Sequence, residues 1–180
     1  LTALVPVNFC VSDNEKKIIK DKIGLLAKRE RDPSVLIQAH ATLINLKRNF
    51  YLQPIDKVVT KDHLQPIVGL IGHNDPTTRL NALQAVGRLG PPAMQEAMLP
   101  VVSAMRNDPN IDIQVTAVVT LIQIEAFEAT GDLKKVMNDK NSSPALKEAA
   151  EDAILQLEFI KKQKTEEEGK KKTDKKRDKK

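Results

Sequence analysis

The chain has no tryptophan, a single tyrosine (Tyr51) and four phenylalanines among 180 residues, so aromatic side chains make up only 3% of it. Its core must therefore be aliphatic, built from Leu, Ile, Val, Ala and Met. Such a core suits helix-on-helix packing, where small residues let helices approach closely. It suits a β-sandwich poorly, because strands favour aromatic and β-branched residues. One cysteine, Cys10, excludes an intramolecular disulfide and a thiolate metal cluster, and fits either redox compartment. No run reaches the ~18 apolar residues of a membrane span. The seven glycines are isolated, and none belongs to a phosphate-cradling loop.

Charge of one sign is scarce in the body of the chain and concentrated at its end. The net charge is +5, yet residues 161–180 hold 11 basic and 5 acidic side chains, leaving 18 basic and 19 acidic for residues 1–160. A nearly neutral body is weak ground for a nucleic-acid-binding fold. The Lys-rich segment 161–180 lacks apolar periodicity and is expected to be disordered, with the last helix fraying a turn or two past Leu157. It serves either as a solubilising tail or as a weak, salt-sensitive tether to anionic polymers, which Asp174 and Asp178 would blunt. At the other end, residues 1–9 are mostly apolar, and small Cys10 and Ser12 precede Asp13. That pattern is similar to the back half of a secretory signal with its cleavage site. The alternative is an apolar segment lying against the first helix. The organisation read from the sequence is thus an apolar segment over 1–13, a folded body over 14–160 and a basic tail over 161–180. The compartment stays open: cytoplasmic, or exported if residues 1–12 are a signal remnant.

What the body does have is a repeat. Four stretches begin with a turn signal and continue with a residue three before an alanine, then aliphatic residues four and seven beyond that alanine. They are Asp32-Pro33-Ser34 with Leu36, Ala39, Leu43 and Leu46; Asp75-Pro76-Thr77 with Arg79, Ala82, Val86 and Leu89; Asp108-Pro109-Asn110 with Gln114, Ala117, Leu121 and Ile124; and Ser143-Pro144 with Lys147, Ala150, Ile154 and Leu157. Asp, Asn or Ser before a helix accepts hydrogen bonds from its free N–H groups, and Pro fits its first turn. The alanine marks a close helix crossing, and the aliphatic residues make one helical face. Each such helix follows another apolar-periodic stretch, over 14–28, 61–71, 93–105 and 133–138. Four antiparallel helix pairs result, and since one pair cannot bury its face alone, the stack is the folding unit.

The strings Asp75-Pro-Thr-Thr-Arg-Leu-Asn-Ala-Leu-Gln-Ala-Val-Gly-Arg-Leu-Gly and Asp108-Pro-Asn-Ile-Asp-Ile-Gln-Val-Thr-Ala-Val-Val-Thr-Leu resemble second helices of HEAT repeats, including the short bacterial type found in phycobilisome-lyase-like proteins. The resemblance spans about residues 14–160 and departs from the pattern at Leu36, where a basic residue is usual, and in the short helix over 133–138. It implies an all-α superhelix of about four helix pairs. It says little of function, since fold does not imply activity. An accessory lyase-like activity is implied by the repeats alone.

Candidate chemistry is sparse. The three histidines, His40, His63 and His73, form no metal-ligand spacing, and the paired His-Glu motifs of HEAT-like metal hydroxylases are missing, so no metal or cofactor is expected. His40 is expected at a helix interface, partly exposed or hydrogen-bonded. Glu125 and Glu128 fall close together on an expected helix, where solvated carboxylates are the ordinary case. The expectation is a non-catalytic protein-binding scaffold. Its candidate ridge comes from equivalent positions of the second helices, which line the concave side of such stacks. One ladder is Leu36, Arg79, Gln114 and Lys147; the other is Asn45, Arg88, Gln123 and Gln156, polar at every rung.

Overall fold

A computed structural model of the chain describes residues 12–50 and 60–177, with side chains for residues 12, 14–44 and 60–169. The apolar segment 1–11, with Cys10, and Tyr51 lie outside the described residues. Among these the structure is all-α: α1 (Asp13–Arg29), α2 (Pro33–Phe50), α3 (Lys61–Gly69), α4 (Pro76–Leu89), α5 (Met94–Asn107), α6 (Ile111–Gln123), α7 (Thr130–Asn138) and α8 (Pro144–Arg177). Short 3-10 turns follow α3 and precede α5 and α7. Each expected helix is present.

The helix starts follow from their caps. Ser12 and Glu15 form a reciprocal capping box on α1. Asp32 Oδ1 accepts from the backbone N–H groups of Ser34 and Val35 at 2.9 and 3.1 Å, and Asp75 Oδ2 from that of Thr78 at 2.7 Å. Ser143 Oγ accepts from the Leu146 N–H at 3.2 Å. Pro33, Pro76 and Pro144 open their helices as expected. The third repeat differs: α6 begins at Ile111, two residues after Pro109, and Asn110 is its cap. Asp108 is thereby released from capping.

Neighbouring helices pack on each other, α1 on α2, α3 on α4, α5 on α6 and α7 on α8, and the second helices are in contact in the order α2, α4, α6, α8. The four repeat alanines, Ala39, Ala82, Ala117 and Ala150, are each fully buried in this packing. A methyl side chain there lets two backbones approach, and a longer one would hold them apart. Leu43, Val86, Leu121 and Ile154, one turn on, are buried too, as are Leu89, Ile124 and Leu157 beyond them. One apolar core runs from Ile37 to Leu157, and a smaller cluster of Ile23, Ala39 and Leu43 joins α1 to α2. Burying each Leu or Ile contributes about 1.5–3 kcal/mol. The stack of pairs is what makes that burial available.

Residues 161–177 belong to α8. Lys164 of α8 pairs with Glu125 of the turn after α6. Lysine and glutamate are good helix formers. The sequence also places Glu166, Glu167 and Glu168 four residues before Lys170, Lys171 and Lys172, the order that supports an isolated helix. Among the described residues, no helix is long and apolar enough to cross a membrane.

Candidate functional site

The two ladders have different fates. Arg79 is buried, and four of its five guanidinium N–H groups donate within the chain. Nε donates to Asp108 Oδ2 at 2.6 Å and Nη2 to Asp108 Oδ1 at 3.0 Å. Nη1 donates to the carbonyls of His73 and Asn74 at 2.9 and 3.0 Å. One side chain thus ties the α3–α4 turn to the α5–α6 turn. Burial pushes the Asp108 carboxyl up, but the guanidinium and the Asn110 N–H outweigh it and hold it below the usual carboxylate range. At the next rung Gln114, half-buried, donates to the Asp108 carbonyl at 2.8 Å. Leu36 and Lys147, the outer rungs, are half-buried as well. This first ladder is therefore largely structural mortar along the turns, and Arg79 in particular commits four of its five N–H donors within the chain.

The second ladder stands in solvent. Arg88, Gln123 and Gln156 are exposed on α4, α6 and α8. Asn45 belongs to α2, but its side chain lies outside the described residues. Arg88 and Gln123 line a groove of 320 Å³ between α4 and α6, together with Gln84, Val115, Thr116 and Val119. Val119 is 44% exposed, an apolar side chain facing water in the groove that Arg88 and Gln123 also line. Gly87 shapes the wall: a Cβ there would collide with the Gln123 amide, so the missing side chain is what lets Gln123 lie across α4. Beneath it the Thr120 hydroxyl donates to the Thr116 carbonyl at 2.9 Å and lies 3.3 Å from the Leu83 carbonyl of α4.

The histidines are closer together than their separation in sequence suggests. His40 of α2 and His63 of α3 lie with ring centroids 5.8 Å apart. His40 is buried, not partly exposed, and its Nδ1 has no hydrogen-bond partner. Burial lowers its pKa, because the charged form would lose solvation. Two imidazoles fall short of a structural zinc shell, and no group of three His, Cys, Asp or Glu side chains converges among the described residues. Glu125 and Glu128 do not share a helix. α6 ends at Gln123, Glu125 takes a left-handed backbone with φ 54°, and Glu128 stands in the 3-10 turn that follows. The pair has no common face on which to act as acid and base.

The architecture defines the class as an all-α protein of packed helix pairs. Comparison with family models, with curated proteins and with solved structures finds no match.

Proposed function

We propose that this chain is a non-catalytic interaction scaffold, a HEAT-like α-solenoid whose layer of second helices grips a segment of a protein partner. The observation that carries the reading is the groove between α4 and α6, which exposed Val119 lines together with the hydrogen-bonding side chains of Arg88 and Gln123. An apolar anchor flanked by polar groups is the arrangement that protein interfaces use to combine affinity with orientation. The resemblance to HEAT second helices supports the same surface, since these helices line the inner side of such stacks. Arg88→Glu with Val119→Asp should weaken partner capture at least about tenfold while the helical circular dichroism stays unchanged. Capture unaffected by the double substitution removes the groove from the proposal.

A second reading concerns the basic end. Lys161, Lys162 and Lys164 are exposed on the helical extension of α8, and an array of lysines on one rod attracts anionic polymers non-specifically. Under that reading the solenoid carries the tail rather than doing the binding.

A further inference from the structure

The helix pairs touch in chain order, so α1–α2 and α7–α8 stand at opposite ends of the row. The repeat register shows what each second helix turns toward the pair that follows. One residue beyond the repeat alanine come His40, Leu83, Val118 and Glu151; five beyond come Ile44, Gly87, Ile122 and Leu155. His40 meets His63 of α3, and a Cβ on Gly87 would collide with the Gln123 amide of α6, so both positions look to the next pair. In α2, α4 and α6 these positions are buried, apart from Ile122, which is partly buried against the core. On α8 they are open: Glu151 is exposed, and Leu155 is 61% exposed. Phe159, one turn beyond Leu155 on the same side, is 62% exposed.

A capping repeat carries a polar outer face. Glu148, Glu151, Asp152 and Glu158 suit that role, and no cation is exposed over 148–159. Leu155 and Phe159 do not suit it. The helix at the other end is the complement. Ile18 and Leu25 of α1, 46% and 52% exposed, stand two turns apart on one side, with exposed Lys22 between them. Lys17, Lys28 and Arg29 are exposed nearby, and Asp21 is the one exposed carboxylate over 17–29. Among the described residues, none of those four carboxylates of α8 or four cations of α1 is held in an ion pair.

We propose that the exposed face of α8 receives the exposed face of α1 from a second copy of this chain, so that copies stack head to tail. Each face sets two apolar side chains among four charges, and the two sets of charges are opposite in sign. Burying Leu155 and Phe159 against Ile18 and Leu25 supplies affinity, and the charges fix partner and orientation. Two α8 faces brought together would oppose carboxylate to carboxylate, which disfavours a symmetric dimer through this helix. The two faces differ, so each added copy presents a fresh one and the assembly does not stop at two. This contact uses neither Arg88 nor Val119, and it is independent of the groove between α4 and α6.

The test is sedimentation velocity of the full chain up to about 200 μM, where an association of micromolar affinity is well advanced. The expected result is a mean mass that rises past that of a dimer, with association weakened about tenfold or more between about 50 and 500 mM salt. Two variants resolve the arrangement: Leu155→Asp with Phe159→Asp blocks the α8 face, and Ile18→Asp with Leu25→Asp blocks the α1 face. Each alone should be monomeric, and an equimolar mixture should form a one-to-one dimer, because each keeps the face the other lacks. All four positions are exposed, so the variants keep their fold, which circular dichroism verifies. A full chain that stays monomeric, a dimer retained by either variant alone, a mixture that stays monomeric, or association indifferent to salt overturns the proposal.

Discussion

Arg79 and Asp108, 29 residues apart, meet in a two-pronged ion pair that staples consecutive turns of the stack. The third repeat makes this possible by capping its helix with Asn110, so that Asp108 can turn toward α4. Removing one partner of such a pair strands a charge away from water, whereas removing both is far less damaging. Arg79→Ala should therefore lower the urea midpoint well beyond Arg88→Ala, whose side chain is exposed, and Arg79→Ala/Asp108→Ala should recover part of the loss. Equal effects of Arg79→Ala and Arg88→Ala would show that the pair contributes nothing.

The crossing alanines should resist enlargement. Ala117→Leu forces α6 away from its neighbours and should cost about 1–3 kcal/mol in denaturant unfolding. Ala145→Leu, at an exposed position of α8, should change stability by less than about 0.5 kcal/mol.

Two glycines should behave oppositely. Gly90 ends α4 with φ 72° and ψ −156°, a backbone region almost closed to side-chain-bearing residues. Gly90→Ala should destabilise by about 1–3 kcal/mol. Gly87 is helical, and the atom that its new Cβ would meet is the end of a flexible glutamine. Gly87→Ala should push the Gln123 amide aside and leave stability equal or raised by up to about 1 kcal/mol.

Acid should unfold the protein in two stages. His40 is held neutral by burial, so its folded pKa lies below the ordinary 6.5. As pH drops past 6.5 the unfolded chain takes up that proton first, and stability falls until the folded group also titrates. The Asp108 and Asp75 carboxyls are depressed below the ordinary 3.8, Asp75 by the hydroxyl and N–H of Thr78. Their contribution is complete above 3.8 and is lost as pH falls through their folded values. His40→Phe should abolish the upper stage and leave the lower one, as followed by urea midpoints from about pH 8 to about pH 3.

Deleting residues 161–180 should remove any binding to mixed-sequence nucleic acid, and the intact chain's affinity should fall steeply between about 50 and 200 mM salt. Sequence-selective binding retained by residues 1–160 would contradict a role for the basic end alone.

Much of the fold was legible because helix packing is written at short range. Ala39, Ala82, Ala117 and Ala150 are fully buried, as their spacing foretells. The ladders were less legible. Arg79 and Arg88 are both basic residues on one helix, and nothing within α4 distinguishes a clamp from an exposed rung. The deciding residue is Asp108 in the next repeat, and its freedom depends on which of Asp108 and Asn110 caps α6. The approach of His40 to His63 crosses a helix pair boundary and leaves no local period.

The most direct measurement places a photo-crosslinking residue at Val119, in the groove, and separately at Leu99, which is exposed on α5, and irradiates each full chain in source lysate. A partner gripped by the second helices gives one discrete adduct at position 119 that is absent at 99 and is lost with Arg88→Glu. Equal adducts at both positions, or none at 119 when the protein captures a partner by another face, would contradict the scaffold reading of that groove.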